Sequence, residues 1–176
     1  MKILIAYAST EGQTRKIAQF CADHFLQDGH SVELLPAADA DHIVFSRFDA
    51  VLLAGSVHGG KYQKPLVRLA RQRAAALTVM KSAFLSVSLA AAGTDKDDWD
   101  SLSDIVERFA AKTGWTPKSV MHVAGAFRFS EYDFFKSWAM RWIAAQKDQD
   151  VDPHQDKEYT DWDALRRRLD DWLKTG

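Results

Sequence analysis

The sequence predicts an α/β fold in which five parallel strands, ordered 2-1-3-4-5, form a doubly wound sheet with helices on both faces. Three observations support it. Apolar runs at residues 3–8, 49–54, 82–89 and 119–126 lack the alternation of a half-exposed strand, as expected of parallel strands buried on both faces. Segments with helical spacing of apolar residues lie between them, so strand and helix alternate along the chain. Loops rich in hydroxyls, glycine or alanine follow the first, third and fourth strands, at the edge where open α/β sheets bind ligands. With 176 residues and no internal repeat or low-complexity linker, the chain reads as a single domain over residues 1–176.

The first strand, Ile3-Leu4-Ile5-Ala6-Tyr7-Ala8, breaks into Ser9-Thr10-Glu11-Gly12-Gln13-Thr14, and a helical pattern begins at Arg15. Three hydroxyls, a glycine and free backbone N–H groups at a helix N-terminus make a site for a phosphate, and the positive end of the helix dipole favours it further. Neither the G-x-G-x-x-G of dinucleotide sites nor the G-x-x-x-x-G-K-[ST] of nucleoside triphosphate sites is present. A hydroxyl-rich loop without lysine suits a single terminal phosphomonoester, the kind that FMN carries.

The later elements follow from the same patterns. Ile17, Phe20, Cys21, His24 and Phe25 recur at helical spacing and pack helix one on the sheet, with Gly29 as its C-cap. Cys21 and His24 in this stripe read as core residues rather than redox or metal groups. Ser31–Leu35 alternates and reads as an edge strand, and a polar connection with a short helical turn leads to Phe48. Asp49–Ala54 is the next buried strand. It ends in Gly55-Ser56-Val57-His58-Gly59-Gly60-Lys61-Tyr62, whose glycines let the backbone approach a flat ring, with Tyr62 or His58 to cover one face.

Pro65 begins a helix running to Leu77, on which Arg68, Arg71 and Arg73 form a solvated face. The fourth strand, Ser82 to Ser88-Leu89, leads into Ala90-Ala91-Ala92-Gly93, where small side chains leave room for a planar ligand. Asp98 to Thr113 forms a helix that turns Leu102, Ile105, Val106, Phe109 and Ala110 inward and ends at Gly114. Ser119–Ala126 is the fifth strand, in which His122 reads as a hydrogen-bonded core histidine. Thr160 caps a final amphipathic helix, Asp161–Lys174.

Composition narrows the functional classes. Lys+Arg 23 against Asp+Glu 24 gives a net charge of −1, so nothing global favours nucleic acid or an anionic membrane. The lone Cys21 leaves no internal disulfide and no multi-cysteine metal site; no metal is expected, and a reducing cytoplasm fits. A cleavable leader is not expected, since the first strand starts at Lys2, and no apolar stretch reaches the ~20 residues of a membrane-spanning helix. The segment from about residue 127 to 158, between strand five and the last helix, stands apart. It is aromatic over most of its helical circumference, with Arg128, Lys136 and Arg141 interleaved, before a polar connection from Asp148 to Glu158. Phe134, Trp138 and Arg141 form one row and Tyr132, Phe135, Ala139 and Trp142 another, so burying both needs a second partner besides the sheet: a hydrophobic substrate, a membrane interface or another subunit.

Taken together, these residues resemble the flavodoxins, and among them the flavodoxin-like, quinone-dependent protoporphyrinogen IX dehydrogenases (oxidases) of bacterial heme synthesis. The likeness runs nearly end to end. Gly12-Gln13-Thr14-Arg15-Lys16-Ile17-Ala18 is similar to the family's phosphate loop and helix start, and Ser82-Ala83-Phe84 through Ser88-Leu89 to its fourth strand. Ala124-Gly125-Ala126-Phe127-Arg128-Phe129 and the aromatic–basic segment resemble the insertion that sets this family apart from plain electron carriers. Tyr159-Thr160-Asp161-Trp162 resembles the opening of its last helix. Glu11 departs from the pattern, because flavodoxins usually carry a hydroxyl there; its side chain is expected to point outward and leave only its backbone to the phosphate.

The resemblance implies that Ser9, Thr10, Glu11 through its backbone, Gly12, Gln13 and Thr14 hold the FMN phosphate. It implies that Ser56–Tyr62 and Ser88–Ala92 hold the isoalloxazine ring. The implied reaction is oxidation of protoporphyrinogen IX, with menaquinone or ubiquinone as electron acceptor. Arg128, Lys136 or Arg141 would pair with the substrate's propionates; no residue stands out as the proton acceptor. The implied location is cytoplasmic or peripheral at the inner face of the cell membrane, and a homo-oligomer is compatible. Two rivals share the fold: an electron-carrying flavodoxin, disfavoured by the near-zero charge and the aromatic segment, and an NAD(P)H-dependent quinone reductase.

Overall fold

The computed structural model describes residues 1–127 and 157–175. Strands β1 (Lys2–Ala8), β2 (Ser31–Pro36), β3 (Ala50–Ser56), β4 (Lys81–Ser88) and β5 (Val120–Ala124) pair in parallel in the order β2-β1-β3-β4-β5. The register sets Ile5 beside Leu34 and Leu52, and Leu53 beside Phe84. Helices α1 (Gln13–Gln27), α2 (Lys64–Gln72), α3 (Ala74–Val79), α4 (Lys96–Thr113) and α5 (Trp162–Lys174) cover the two faces.

The continuous apolar runs of β1 and β3 exist because each strand serves two cores. Ile3, Ile5 and Leu52 pack with Ile17, Cys21 and Phe25 of α1 and with Leu165, Leu169 and Trp172 of α5. Leu4, Leu53 and Phe84 pack on the other side with Leu66 and Leu69 of α2 and Leu102, Ile105 and Phe109 of α4. Each such side chain taken fully from water contributes about 1.5–3 kcal/mol. Cys21 is fully buried, and desolvation pushes its thiol up to about 12, so it behaves as a small apolar residue. His24 is buried too, and its Nε2 lies 2.6 Å from an Asp170 carboxylate oxygen, joining α1 to α5.

Several boundaries differ from those read in the sequence. Helix α1 starts at Gln13 rather than Arg15, because Gly12 sits in the left-handed region (φ 89°) as the N-cap and turns the chain early. The helix expected from Pro65 to Leu77 is two helices, broken at Arg73. The arginines expected to be merely solvated act as hooks: Arg71 donates twice to Lys112 O, Arg73 donates to Asp41 O, and Arg68 meets the Asp41 carboxylate at 3.1 Å. The last helix is capped by Asp161, whose carboxylate accepts from Ala164 N–H at 2.8 Å, and not by Thr160, whose hydroxyl donates to Ala124 O at 2.7 Å.

The fifth strand ends at Ala124, short of Ala126. Gly125 N–H turns back to Ser88 O, and Ala126–Phe127 (β6) then pairs antiparallel with Lys157–Glu158 (β7). The aromatic–basic segment therefore leaves and rejoins the chain at a two-stranded ribbon. Arg128, Lys136 and Arg141 lie outside the described residues. Among the described residues no helix is long and apolar enough to cross a membrane.

Candidate functional site

Strand β1 delivers residues 9–12 to the carboxyl edge of the sheet, where α1 begins. Gly12 N–H donates to Ser9 Oγ at 3.0 Å, which closes the loop on itself. Among the described residues no side chain caps α1, and its first turn carries no acidic residue. The first-turn N–H groups therefore keep their donor capacity and the positive end of the dipole is unopposed. Thr14 lies in that turn, only 1% exposed, and its Oγ1 has no hydrogen-bond partner. A buried hydroxyl without a partner costs about 1–3 kcal/mol. An oxyanion seated on the helix end would supply the missing partner.

The Gln13 side chain serves the scaffold instead. Its Nε2 donates to Glu158 Oε2 and Thr160 Oγ1, each at 3.0 Å, leaving its backbone N–H for an anion. Glu158 also receives Lys16 Nζ at 2.6 Å and Trp162 Nε1 at 3.0 Å. One carboxylate thus ties α1 to β7 and α5 at the foot of the ribbon. Burial by itself would raise the Glu158 pKa, but hydrogen bonds from Lys16, Gln13 and Trp162 outweigh it and hold the carboxyl below its ordinary 4.5. Because the folded pKa is depressed, the stabilisation is present above the unfolded value and is lost as pH falls through the folded one. Glu158→Gln is expected to flatten the acid limb of the urea-midpoint profile below pH 4.5; an unchanged limb would remove Glu158 from that role.

The loop after β3 faces this one. Gly59 and Gly60 both take positive φ (54° and 71°), and His58 and Lys61 exchange backbone hydrogen bonds across them, a tight turn that needs glycine at both centres. Glu11 does not point outward as expected. Its carboxylate is 18% exposed and lies 3.9 Å from His58 Nδ1, so the two loops meet through this pair and its charge is directed at His58. Gln63, not singled out in the sequence, bridges them as well: its Nε2 donates to Thr10 Oγ1 at 3.1 Å and to Ser56 Oγ at 2.5 Å. Its position just before the Lys64-Pro65 start of α2 was the available signal.

Tyr62 is placed in the core rather than over a ligand. Its hydroxyl pairs with Ser86 Oγ at 2.8 Å, its ring meets Phe84 and Phe109 edge-on, and desolvation pushes its pKa up to about 12. His58 is half-buried, while Gly59 and Lys61 are exposed, so the tip of the loop is what remains for a ring. Val57 N–H donates to Val87 O, which fixes the loop's base.

The third loop is the 3-10 turn over Ala90–Ala92, started by Ser88 Oγ accepting from Ala91 N–H at 3.2 Å. Leu89, Ala90, Ala91 and Ala92 are all half-buried. His122 nearby is not the hydrogen-bonded core residue expected: its Nδ1 is buried without a partner, and desolvation, aided by the Arg168 guanidinium, lowers its pKa. The structure thus brings residues 9–14, 56–61 and 88–92 to one edge of the sheet, excludes Tyr62 and the Gln13 side chain from it, and leaves Arg128, Lys136 and Arg141 outside the described residues.

Residues 4–154 match the family model described as "Flavodoxin domain". Escherichia coli K12 protoporphyrinogen IX dehydrogenase (quinone) is 26% identical over 94% of this chain and 91% of its own length. The Leishmania major protein of the same name is 29% identical over 97% of this chain and 74% of its own length. A short-chain flavodoxin associated with a bacterial microcompartment superposes with a TM-score of 0.61, covering 99% of this chain and 98% of its own, at 12% identity. Oxidised flavodoxin 2 of Bacillus cereus gives 0.54 over 82% of this chain and 99% of its own, at 19% identity. These two likenesses are of fold.

Proposed function

The chain belongs to the flavodoxin domain family, and from that premise we propose that it holds FMN and oxidises protoporphyrinogen IX to protoporphyrin IX, with a quinone as electron acceptor. The family and the fold imply a flavin. The residues fit one: the partnerless Thr14 hydroxyl sits in an uncapped first turn, which is what a phosphomonoester would satisfy.

Ser9 and Thr10 would add hydroxyls to the phosphate, and Glu11, Gly12 and Gln13 their backbone N–H groups. The tip of the 56–61 loop and the Ser88–Ala92 turn would flank the ring. FMN, when bound, supplies the electron chemistry; the chain supplies position and electrostatics. The Glu11 carboxylate lies 3.9 Å from His58 Nδ1, a contact that would hold it aside from a bound phosphate. Arg128, Lys136 and Arg141 remain the groups that would pair with the substrate's propionates, on the strength of the sequence alone.

The observation that carries the substrate assignment is near-full-length similarity to the two dehydrogenases, which spans the aromatic–basic segment as well as the flavodoxin core. The expected result is that anaerobic protoporphyrinogen IX bleaches the bound flavin while NADH does not, and that a naphthoquinone restores the colour. Bleaching by NADH alone would favour a quinone reductase. Bleaching by neither would leave an electron carrier.

A further inference from the structure

A cavity of about 310 Å³ lies at the outer edge of β5, on the far side of the turn assigned to the flavin ring. Ala91 and Ala92 form one wall, Trp99 of α4 and His122 of β5 a second, and Tyr159 and Arg168 a third. Its walls are fixed. Trp99 Nε1 donates to Gly93 O at 2.9 Å and its ring stands perpendicular to His122 with centroids 5.6 Å apart. Arg168 Nη1 donates to His122 O at 2.8 Å, which leaves further guanidinium donors at the rim. His122 Nδ1 is buried with no partner.

We propose that this cavity seats the head group of the quinone acceptor, a neutral planar ring bearing carbonyl oxygens. The assignment rests on the reading that a quinone is the acceptor, and it adds the place. Size and charge select the occupant. The volume is at the lower end of the ~300–1,000 Å³ typical of ligand pockets, so it admits a one- or two-ring head group and not a tetrapyrrole. The lining favours an uncharged ligand over a carboxylate, because Asp161 also lines the cavity and its carboxylate is held there as the α5 cap. Trp99, Tyr159 and His122 offer aromatic surface, and Arg168 offers a permanent donor to a carbonyl. Ala91 and Ala92 belong both to this wall and to the flavin loop, so only one turn of backbone separates the two sites.

The test is photolabelling of the FMN-loaded full chain with an azido-naphthoquinone, followed by peptide mapping. Label is expected on peptides carrying Trp99, His122 or Tyr159, and excess menadione should displace it. Ala164→Phe, which fills the cavity from α5, is expected to cut that labelling about tenfold or more, and Arg168→Gln to cut it several-fold, since each ~1.4 kcal/mol of lost contact is a factor of ten. The KM for quinone should rise in parallel, while anaerobic bleaching by protoporphyrinogen keeps its rate. Label confined to residues 128–156, or cavity label indifferent to both substitutions, overturns the assignment; if Ala164→Phe does not fold, Arg168→Gln decides. Bleaching that fails in the unsubstituted protein counts against the substrate reading instead, because labelling is read without turnover.

Discussion

Thr10→Glu is expected to weaken FMN binding by about a hundredfold or more, because like-charge juxtaposition costs several kcal/mol and each ~1.4 kcal/mol is tenfold. Thr10 is exposed, and its Oγ1 accepts a single hydrogen bond, from Gln63. The added carboxylate therefore reaches the loop without disturbing the core, and the unfolding free energy of the apoprotein in urea should stay within about 0.5 kcal/mol of the parent. Thr10→Val, which removes the hydroxyl and adds no charge, should cost only about tenfold. Quenching of flavin fluorescence on titration with apoprotein measures all three. Equal affinity of Thr10→Glu and the parent would mean that the phosphate is not held by this loop. Glu11, the acidic residue already in this loop, has its carboxylate 3.9 Å from His58 Nδ1, a contact that residue 10 does not share.

Trp115→Ala is expected to destabilise the fold by about 3–5 kcal/mol, a large part of the ~5–15 kcal/mol that a domain of this kind has in total. Trp115 is 1% exposed and stands edge-on to Phe84 and Phe109, which are themselves stacked at 4.7 Å. Its removal leaves a cavity between β4 and α4 that rigid aromatic neighbours fill poorly. Trp115→Phe should recover much of the loss. Urea unfolding monitored by circular dichroism measures both, and a change under about 1 kcal/mol for the alanine variant would mean that the cavity collapses.

Trp115 also shows where sequence reading runs out. It is a lone apolar residue after the Gly114 stop, followed by Thr116 and Pro117, with no period to mark it. Only the packing of α4 against β4 makes it core. The Thr160 cap failed for a related reason. Thr160 and Asp161 are both good caps by residue type. The choice fell to Asp161 because Ala124 O, on the outer edge of β5, took the Thr160 hydroxyl. Tyr62 looked available for a ring because it ends a glycine-rich loop, yet Ser86 and two phenylalanines reach it from behind. Gln63 showed in the sequence only as the residue before the α2 start, because its role is to span two loops that lie far apart along the chain.

The linear order of residues determined by itself the five-strand sheet, its order 2-1-3-4-5, the helices between the strands and the loops that gather at its edge. Those features are encoded in local periodicity and in the constraint that crossovers are short and right-handed. The tertiary structure decided which way side chains at that edge turn: Gln13 to Glu158, Glu11 to His58, Tyr62 into the core, and Arg168 onto the edge of β5. Each is a choice among partners far apart in sequence, settled by where charge and donors find their lowest free energy once the sheet has formed.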